Sequence, residues 1–171
     1  MMCGVIIFFM QTGFSLLESG SVRHKNYQNI LLKNTIDFCA CGIVWWGWGY
    51  GLARGDVNGG FIGSKNFFGY ELDKMRGRWF LSYVFASNAA TIVSGSLAER
   101  CKILNYLIFS VFMTGFIYPV IEAWIWGGGW LNEMGFHDFA GSGVVHLTGG
   151  ISGLVGTFVI GPRFGRFEDI D

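Results

Sequence analysis

One stretch of the sequence places a carboxylate and an imidazole in an apolar, glycine-rich run. Asp138 and His146 are its titratable groups, and no further charged residue follows before Ile160. Ionisable groups are costly inside a membrane, so such a residue indicates a functional site by default. His146 is therefore the first candidate for chemistry. A buried histidine that only hydrogen-bonds a neighbouring carbonyl is the alternative that the pattern leaves open.

A serine on the same segment suggests a rival chemistry. Residues 150–153 read Gly-Ile-Ser-Gly, the Gly-x-Ser-Gly form used by rhomboid-like intramembrane serine proteases. Ser152 follows His146 by six residues, which is about 240° around a helix, so the two cannot form a nucleophile and base pair within this segment. The other histidines, His24 and His137, lie in expected loops. A membrane protease is therefore kept only as an alternative.

Alternate glycines at Gly47, Gly49 and Gly51 could suggest a dinucleotide-binding loop. No strand precedes them, and Gly51 is not at the spacing that the third glycine of a Gly-x-Gly-x-x-Gly motif requires. The pattern predicts close aromatic and backbone packing instead. The cysteines show no zinc-ligand spacing. We expect neither a cofactor nor a metal.

Four charged residues within or beside apolar stretches have structural interpretations. Lys33 and Asp37 are one helical turn apart, so they are predicted to form an ion pair. Glu122 lies near the end of an apolar stretch, and its carboxylate is expected to reach the membrane interface. Asp138 precedes the last apolar stretch and is expected to cap its first amides.

Composition indicates the setting in which these groups act. Of 171 residues, 51% are hydrophobic and 14% are charged, against about 25% charged in soluble proteins. The chain is thus predicted to be an all-α polytopic membrane protein. Lys plus Arg equals Asp plus Glu, 12 of each, so there is no net attraction to nucleic acid and no nucleic-acid partner is expected.

Five apolar stretches are each near the ~20 residues that a bilayer requires. They cover roughly residues 1–19, 29–53, 79–98, 103–126 and 141–161. No repeat or low-complexity tract interrupts them, so residues 1–171 are taken as one domain with about five transmembrane helices.

Basic residues in the connecting loops predict an orientation. If the loops after the first, third and fifth helices share a side, that side carries Arg23, Lys25, Arg100, Lys102, Arg163 and Arg166. The basic residues of the other side lie in one long loop diluted by acidic residues. The positive-inside rule then places the N-terminus outside and the C-terminal end inside. The plasma membrane is the expected location of this multi-pass protein.

The fifth helix is predicted to have two different faces. One face carries small or polar residues: Ser142, His146, Gly149, Gly150, Gly153 and Gly156. The other face is aliphatic or aromatic: Val144, Leu147, Ile151, Leu154, Val155 and Phe158. The small face should allow close approach of another helix and hold His146 inside the bundle, while the other face meets lipid.

Several motifs, in the same order along the chain, resemble those of ammonium transporters of the Amt/Mep/Rh superfamily, specifically the Amt branch. They are Asp-Phe-Ala-Gly-Ser-Gly-Val-Val-His at 138–146, Gly-Gly-Ile-Ser-Gly-Leu at 149–154 and Gly-Pro-Arg at 161–163. Further matching segments occur at 17–26, 29–34, 94–100 and 115–119. The resemblance extends over essentially the whole chain.

The resemblance implies a larger architecture than this chain contains. Members have eleven spanning helices, arranged as two inverted halves of five plus a final helix, and they assemble as homotrimers with one pore per subunit. This chain corresponds to the N-terminal half only, with the first helix truncated and the second half absent. The implied partners are ammonium and ammonia, with methylammonium as a possible analogue, and the lipid bilayer; no enzyme activity is implied.

The resemblance also assigns roles to four residues. Trp126 corresponds to the aromatic residue of an external ammonium site, and Phe85 to the outer of two stacked phenylalanines that gate the pore. Asp138 corresponds to a buried acid beneath that site, and His146 to the first of two pore histidines. A full charge is expensive in an apolar lumen, so ammonium would be bound, deprotonated and conducted as ammonia.

The chain departs from the family pattern at residues 122–123 and lacks several elements of the family's site. Glu122 and Ala123 stand where the pattern has a smaller residue followed by histidine, so the outer mouth is expected to differ in charge. The second gate phenylalanine, the serine of the outer site and the second histidine belong to the absent half. Residues 1–171 alone are therefore expected not to transport. An ammonium sensor of the same fold is a further alternative.

Overall fold

The computed structural model describes residues 2–163, 165 and 167. Within them the chain forms helices and loops and no β-strand. The α-helices are α1 (Met2–Ser21), α2 (Tyr27–Val44), α3 (Tyr50–Arg54), α4 (Leu72–Leu97), α5 (Ile103–Phe112), α6 (Tyr118–Ile125), α7 (Trp130–Glu133) and α8 (Thr148–Ile160). Three π-helical segments accompany them: Trp45–Gly49, Met113–Ile117 and Ser142–Leu147.

These pieces join into five helical rods, which confirms the predicted all-α architecture. A π-helical segment links α2 to α3, another links α5 to α6, and a third leads into α8. The third rod, α4, begins at Leu72 rather than at 79, because a charged amphipathic turn extends it beyond the apolar stretch. Exposed pairs such as Arg76 with Asp73 support that turn.

Four helices in the described part of the chain are long and apolar enough to cross a membrane. They are Met2–Ser21, Leu72–Leu97, Ile103–Glu133 and Ser142–Ile160. The remaining rod, residues 27–54, has the required length but carries Lys33 and Asp37 within it. The described residues therefore contain four or five spans.

Helix α4 lies at the centre of the bundle and packs against α1, α2 and α8. Small residues allow the close contact with α8. A Cβ atom on Gly149 would lie 2.9 Å from the carbonyl oxygen of Ala89, and one on Gly153 would lie 2.7 Å from Ser96 Oγ. The prediction that these glycines face another helix is confirmed.

The beginning of the fifth rod corrects the predicted assignment of faces. Val144, expected to meet lipid, is fully buried, whereas His146, expected inside the bundle, is exposed on the surface that the described residues form. The cause is the π-helical turn, in which the amide of His146 donates to the carbonyl of Gly141, 3.0 Å away. Each such i→i+5 bond adds a residue to the turn and rotates these side chains relative to α8.

The predicted pair between Lys33 and Asp37 is wrong. Lys33 Nζ instead lies 3.2 Å from Glu18 Oε2, because α1 packs against α2 and brings its buried carboxylate to that point. Asp37 accepts hydrogen bonds from the hydroxyls of Ser110 and Tyr106, both on α5. The two charges therefore belong to different polar contacts of the same buried region.

Glu99 connects three loops at one end of the bundle. Its carboxylate accepts hydrogen bonds from the amide of Arg23 at 2.9 Å and from Asn26 Nδ2 at 2.7 Å, and it lies 3.4 Å from Arg163 Nη1. The loops after the first, third and fifth rods thus share one end, the condition on which the predicted orientation depended.

The alternate glycines pack as expected. A Cβ atom on Gly49 would lie 3.0 Å from the carbonyl oxygen of Thr114, and one on Gly51 would lie 2.8 Å from that of Lys65. These close backbone contacts confirm a packing role for both glycines.

Candidate functional site

Trp126 lies where the fourth rod ends and contacts two other elements. Its indole Nε1 donates a hydrogen bond to the backbone carbonyl of Asp138 at 2.7 Å. The ring of Phe85, on α4, lies against it with centroids 5.3 Å apart and planes inclined at 46°. Three of the four predicted site residues are therefore neighbours.

The carboxylate of Asp138 caps the fifth rod, as predicted. Oδ1 accepts from the amides of Gly141 and Ser142 at 2.7 and 3.1 Å, and Oδ2 from those of Gly143 and Val144 at 2.8 and 2.7 Å. Burial acts to raise the pKa of Asp138, but the four amide donors outweigh it and lower that pKa below its ordinary 3.8. Asp138 is thus an ionised carboxylate whose two oxygens both accept hydrogen bonds from backbone amides.

Gly141 allows this cap to form beside Trp126. Its φ of +99° lies in the left-handed region that favours glycine. A Cβ atom at this position would lie 3.3 Å from Trp126 Cη2 and 2.8 Å from Val145 Cγ2. A side chain here would push apart the tryptophan and the start of the fifth rod.

Glu122 does not reach the membrane interface, so that prediction is wrong. Its side chain is fully buried, with Oε1 2.5 Å from Arg54 Nε and also accepting a hydrogen bond from the hydroxyl of Ser82. Because α3 packs against α6, a cationic partner is available inside the protein and the carboxylate does not need water.

Sequence reasoning missed Arg54 and Ser82 as parts of this region. One signal was present: a carboxylate in an apolar segment needs a cation, and Arg54 directly follows the apolar stretch at 29–53. Nothing in the sequence pattern distinguishes Ser82 from the other small polar residues of α4.

A cavity of about 230 Å³ opens beside Trp126 and Phe85. Its other lining residues are Arg54, Arg78, Leu81, Ser82 and Phe139. Aromatic ring faces attract cations, so this cavity could accept a small monovalent cation. Asp138 and His146 do not line it.

His146 lies apart from this cavity. Its exposed side chain is flanked along the helix by Ser142 and Gly150, which are also exposed. The imidazole makes no hydrogen bond to any residue that the structure describes. The structure therefore groups Trp126, Phe85 and Asp138 and leaves His146 on a separate, uncovered face.

The sequence matches the model of the Ammonium Transporter Family over residues 1–171. The chain belongs to the ammonium transporter family. A putative ammonium transporter of Synechocystis is 46% identical over 96% of this chain and 39% of its own length. The ammonium transporter Amt2 of Archaeoglobus fulgidus is 40% identical over 98% of this chain and 39% of its own.

Solved structures agree with this assignment. A protein described as a sensor Amt protein superposes with a TM-score of 0.94 at 34% identity, covering 98% of this chain and 44% of that one. Mep2 of Candida albicans superposes with a TM-score of 0.80 at 29% identity, over 93% of this chain and 37% of its own. The chain thus spans about two-fifths of the length of the relatives it matches.

Family membership decides against an enzyme. The matched relatives are named as ammonium transporters, and the expectation that the chain is not an enzyme is confirmed. Ser152, the would-be nucleophile, has its Oγ 4.0 Å from the sulfur of Met113. The protease alternative is therefore abandoned.

Proposed function

We propose that the protein containing this chain transports ammonium across the membrane. Ammonium would bind in the cavity beside Trp126 and Phe85, release a proton to water at the open mouth, and move onward as neutral ammonia past His146. The observation that carries the proposal is the placement of Trp126, which is bonded to Asp138 and faces Phe85 at the edge of an open cavity.

The aromatic faces of the cavity suit a cation at its mouth rather than in the lumen. Indole and phenyl faces attract a monovalent cation, while Asp138 contributes negative potential through an ionised carboxylate that is bonded to backbone amides. Moving the intact cation deeper into an apolar passage would require loss of its solvation, which costs several kcal/mol. Release of the proton before passage avoids most of that cost.

The exposed face of the fifth rod supports a pore-lining role for His146. A stripe of small and polar residues on this rod is not covered by the described residues; it consists of Ser142, His146 and Gly150. We infer that the rest of the protein covers this stripe and supplies a second histidine, with residues 1–171 as the first half of the fold. From membership of the ammonium transporter family we also propose a homotrimer in the plasma membrane. The basic loop residues at the Glu99 end of the bundle support a cytoplasmic position for that end.

Uptake of radiolabelled methylammonium tests the proposal. Cells without ammonium transporters of their own would produce the complete reading frame that contains this chain. Wild type should accumulate the label, and His146→Ala should lose uptake or change its selectivity for ammonium over other monovalent cations. Ser152→Ala is the matched control on the same rod and should transport normally. Absence of uptake by wild type at normal membrane levels would refute transport.

A sensor is the second candidate, because the superposition with a sensor Amt protein is close. A sensor would bind methylammonium without accumulating it, and its reading frame would encode a signalling domain after the helical bundle. Binding by the purified protein without uptake in cells would favour the sensor over the transporter.

A further inference from the structure

Behind Trp126 lies an ion pair that the proposed transport function does not use. Arg54, at the end of α3, contacts the fully buried Glu122 of α6, with Nε 2.5 Å from Oε1. The hydroxyl of Ser82, on α4, donates to the same carboxylate oxygen. Three separate helices therefore meet at one buried negative charge.

The arginine of this pair also contacts Trp126 directly. Nη1 of Arg54 donates to the backbone carbonyl of Trp126, and the guanidinium carbon lies 5.7 Å from the centroid of the indole ring. Trp126 is the residue that ends the helical turn of Glu122, because its amide donates the usual i→i+4 bond to the Glu122 carbonyl at 2.8 Å. The pair thus holds the tryptophan by its main chain and places a fixed cation near its ring.

Charge around the cavity gives this arrangement a functional consequence. Arg54 and Arg78 both line the cavity, so an entering cation meets two positive side chains. Glu122 does not line it but neutralises Arg54 from behind. The carboxylate of Asp138 is already bonded to the amides of the fifth rod. The balance between Arg54 and Glu122 therefore controls the electrostatic potential that a cation meets beside Trp126.

We propose that the Arg54–Glu122 pair positions Trp126 and balances charge so as to set the affinity of the adjoining cavity for ammonium-type cations. The pair acts in two ways: Arg54 holds the main chain of Trp126, and the balance of the two charges sets the potential in the cavity that Arg54 lines. The proposal rests on the cavity being the cation site of the proposed transporter.

Opposite shifts in affinity test this role. In the complete protein, purified in detergent, methylammonium binding would be titrated by tryptophan fluorescence. Glu122→Gln leaves Arg54 uncompensated and should weaken binding roughly tenfold. Arg54→Gln leaves the carboxylate uncompensated and should strengthen binding, but by less than tenfold because it also removes the donor to the Trp126 carbonyl. The double variant contains neither charge and should bind within about threefold of wild type.

A merely structural pair predicts a different pattern. Both single variants would then lower the yield of folded protein and leave the dissociation constant of the folded fraction unchanged, which would overturn the proposal. Arg54→Gln carries the greater risk of misfolding because it leaves a buried charge unpaired. The double variant and Glu122→Gln avoid that risk, and equal affinity of Glu122→Gln and wild type is sufficient to reject the idea.

A matched control is a second buried carboxylate, on α1, that also accepts a hydrogen bond from a serine of the central helix α4. Glu18 is also buried, pairs with Lys33 at 3.2 Å and accepts from Ser94, which lies about 18 Å along α4 from Ser82. Glu18→Gln should alter stability and leave methylammonium affinity unchanged. The binding measurement also tests this proposal independently of transport. A protein that binds methylammonium but does not accumulate it in cells is not a transporter, and the effect of Arg54 and Glu122 variants on the dissociation constant can still be measured.

Discussion

The indole nitrogen of Trp126 is bonded to the main chain of Asp138, 2.7 Å from its carbonyl oxygen, and not to the carboxylate. Asp138 therefore serves two neighbours with different atoms, since its carboxylate caps the fifth rod. Asp138 therefore joins the aromatic site to the start of the proposed pore helix. A substitution of its side chain removes the cap and leaves the carbonyl that accepts from Trp126 in the main chain.

Substitution of Trp126 should show how much of the site depends on the ring and how much on its hydrogen bond. Trp126→Phe keeps an aromatic face but loses the Nε1 donor, so we expect the half-saturation concentration of methylammonium uptake to rise about threefold. Trp126→Leu removes the cation–π contact as well and should raise it about tenfold or more.

Trp48→Phe is the control for that experiment. Trp48 also donates from Nε1 to a backbone carbonyl, that of Gly115 at 3.0 Å, but it does not line the cavity. Uptake by this variant should saturate at the wild-type concentration. Equal shifts in both phenylalanine variants would mean that the loss of any such bond, and not the site itself, is responsible.

Neutralising Asp138 should destabilise the protein through its cap. Asp138→Asn keeps one acceptor oxygen and loses charge and about half of the amide bonds, so we expect a loss of about 1–3 kcal/mol, with a larger loss for Asp138→Ala. Thermal unfolding of the purified protein measures both. Asp73→Asn, which breaks an exposed pair with Arg76, should change stability by less than about 0.5 kcal/mol.

The course of the helices could be predicted from the sequence because apolar stretches near bilayer length have few other solutions. The hydrogen-bond and ion-pair partners of the buried polar groups could not be predicted in this way. Lys33 is closest in sequence to Asp37, yet its partner is Glu18, which a different helix brings to it. Pairing across helices depends on packing angles, and sequence spacing along one helix does not contain them.

The site shows the same limit. The roles expected for Trp126 and Phe85 came from resemblance, and their contact is a product of how α4 and α6 pack. The orientation of His146 depends on a π-helical turn that no residue pattern in the sequence predicts. The position of Glu122 near the end of an apolar stretch favours the interface, whereas its actual partner, Arg54, comes from a different helix.

Acid should weaken the end of the bundle that Glu99 holds together. Burial acts to raise the pKa of Glu99, but bonds from Arg23 and Asn26 outweigh it and lower that pKa from 4.5 to about 2. Between these values the unfolded chain binds more protons than the folded one. The stabilisation by Glu99 is therefore complete above pH 4.5 and is lost as the pH falls towards 2.

Thermal unfolding midpoints recorded across this pH range would measure the effect. Glu99→Gln should lower the midpoint at neutral pH and flatten its decline in acid. Glu71→Gln, at an exposed carboxylate paired with Lys74, should retain the wild-type slope. If Glu99→Gln and wild type decline in parallel, other carboxylates cause the acid sensitivity.

Packing between α4 and α8 should depend on Gly149. A Cβ atom there would lie 2.9 Å from both the carbonyl oxygen of Ala89 and Cβ of Ile92. Gly149→Ala should therefore force the helices apart and cost about 1–3 kcal/mol in the free energy of unfolding. Gly13→Ala is the control, since nothing lies within 4 Å of a Cβ atom at that position of α1. It should be neutral or stabilising by up to about 1 kcal/mol.

Residues 1–171 produced alone should not transport. The stripe of Ser142, His146 and Gly150 is exposed in the described part of the chain, so a passage along it would lack its second wall. Without that wall, His146 would face lipid or another copy of the chain, and neither provides a closed path for ammonia.

Cells making only residues 1–171 should therefore show background uptake of labelled methylammonium, at a membrane level matched by epitope tagging to cells making the complete reading frame. Supplying the remaining reading frame as a second chain should restore uptake if the two parts associate in the membrane. Uptake above background by residues 1–171 alone would mean that the exposed stripe can be closed by self-association. His146 would then face its counterpart in another copy instead of a second half of the same protein.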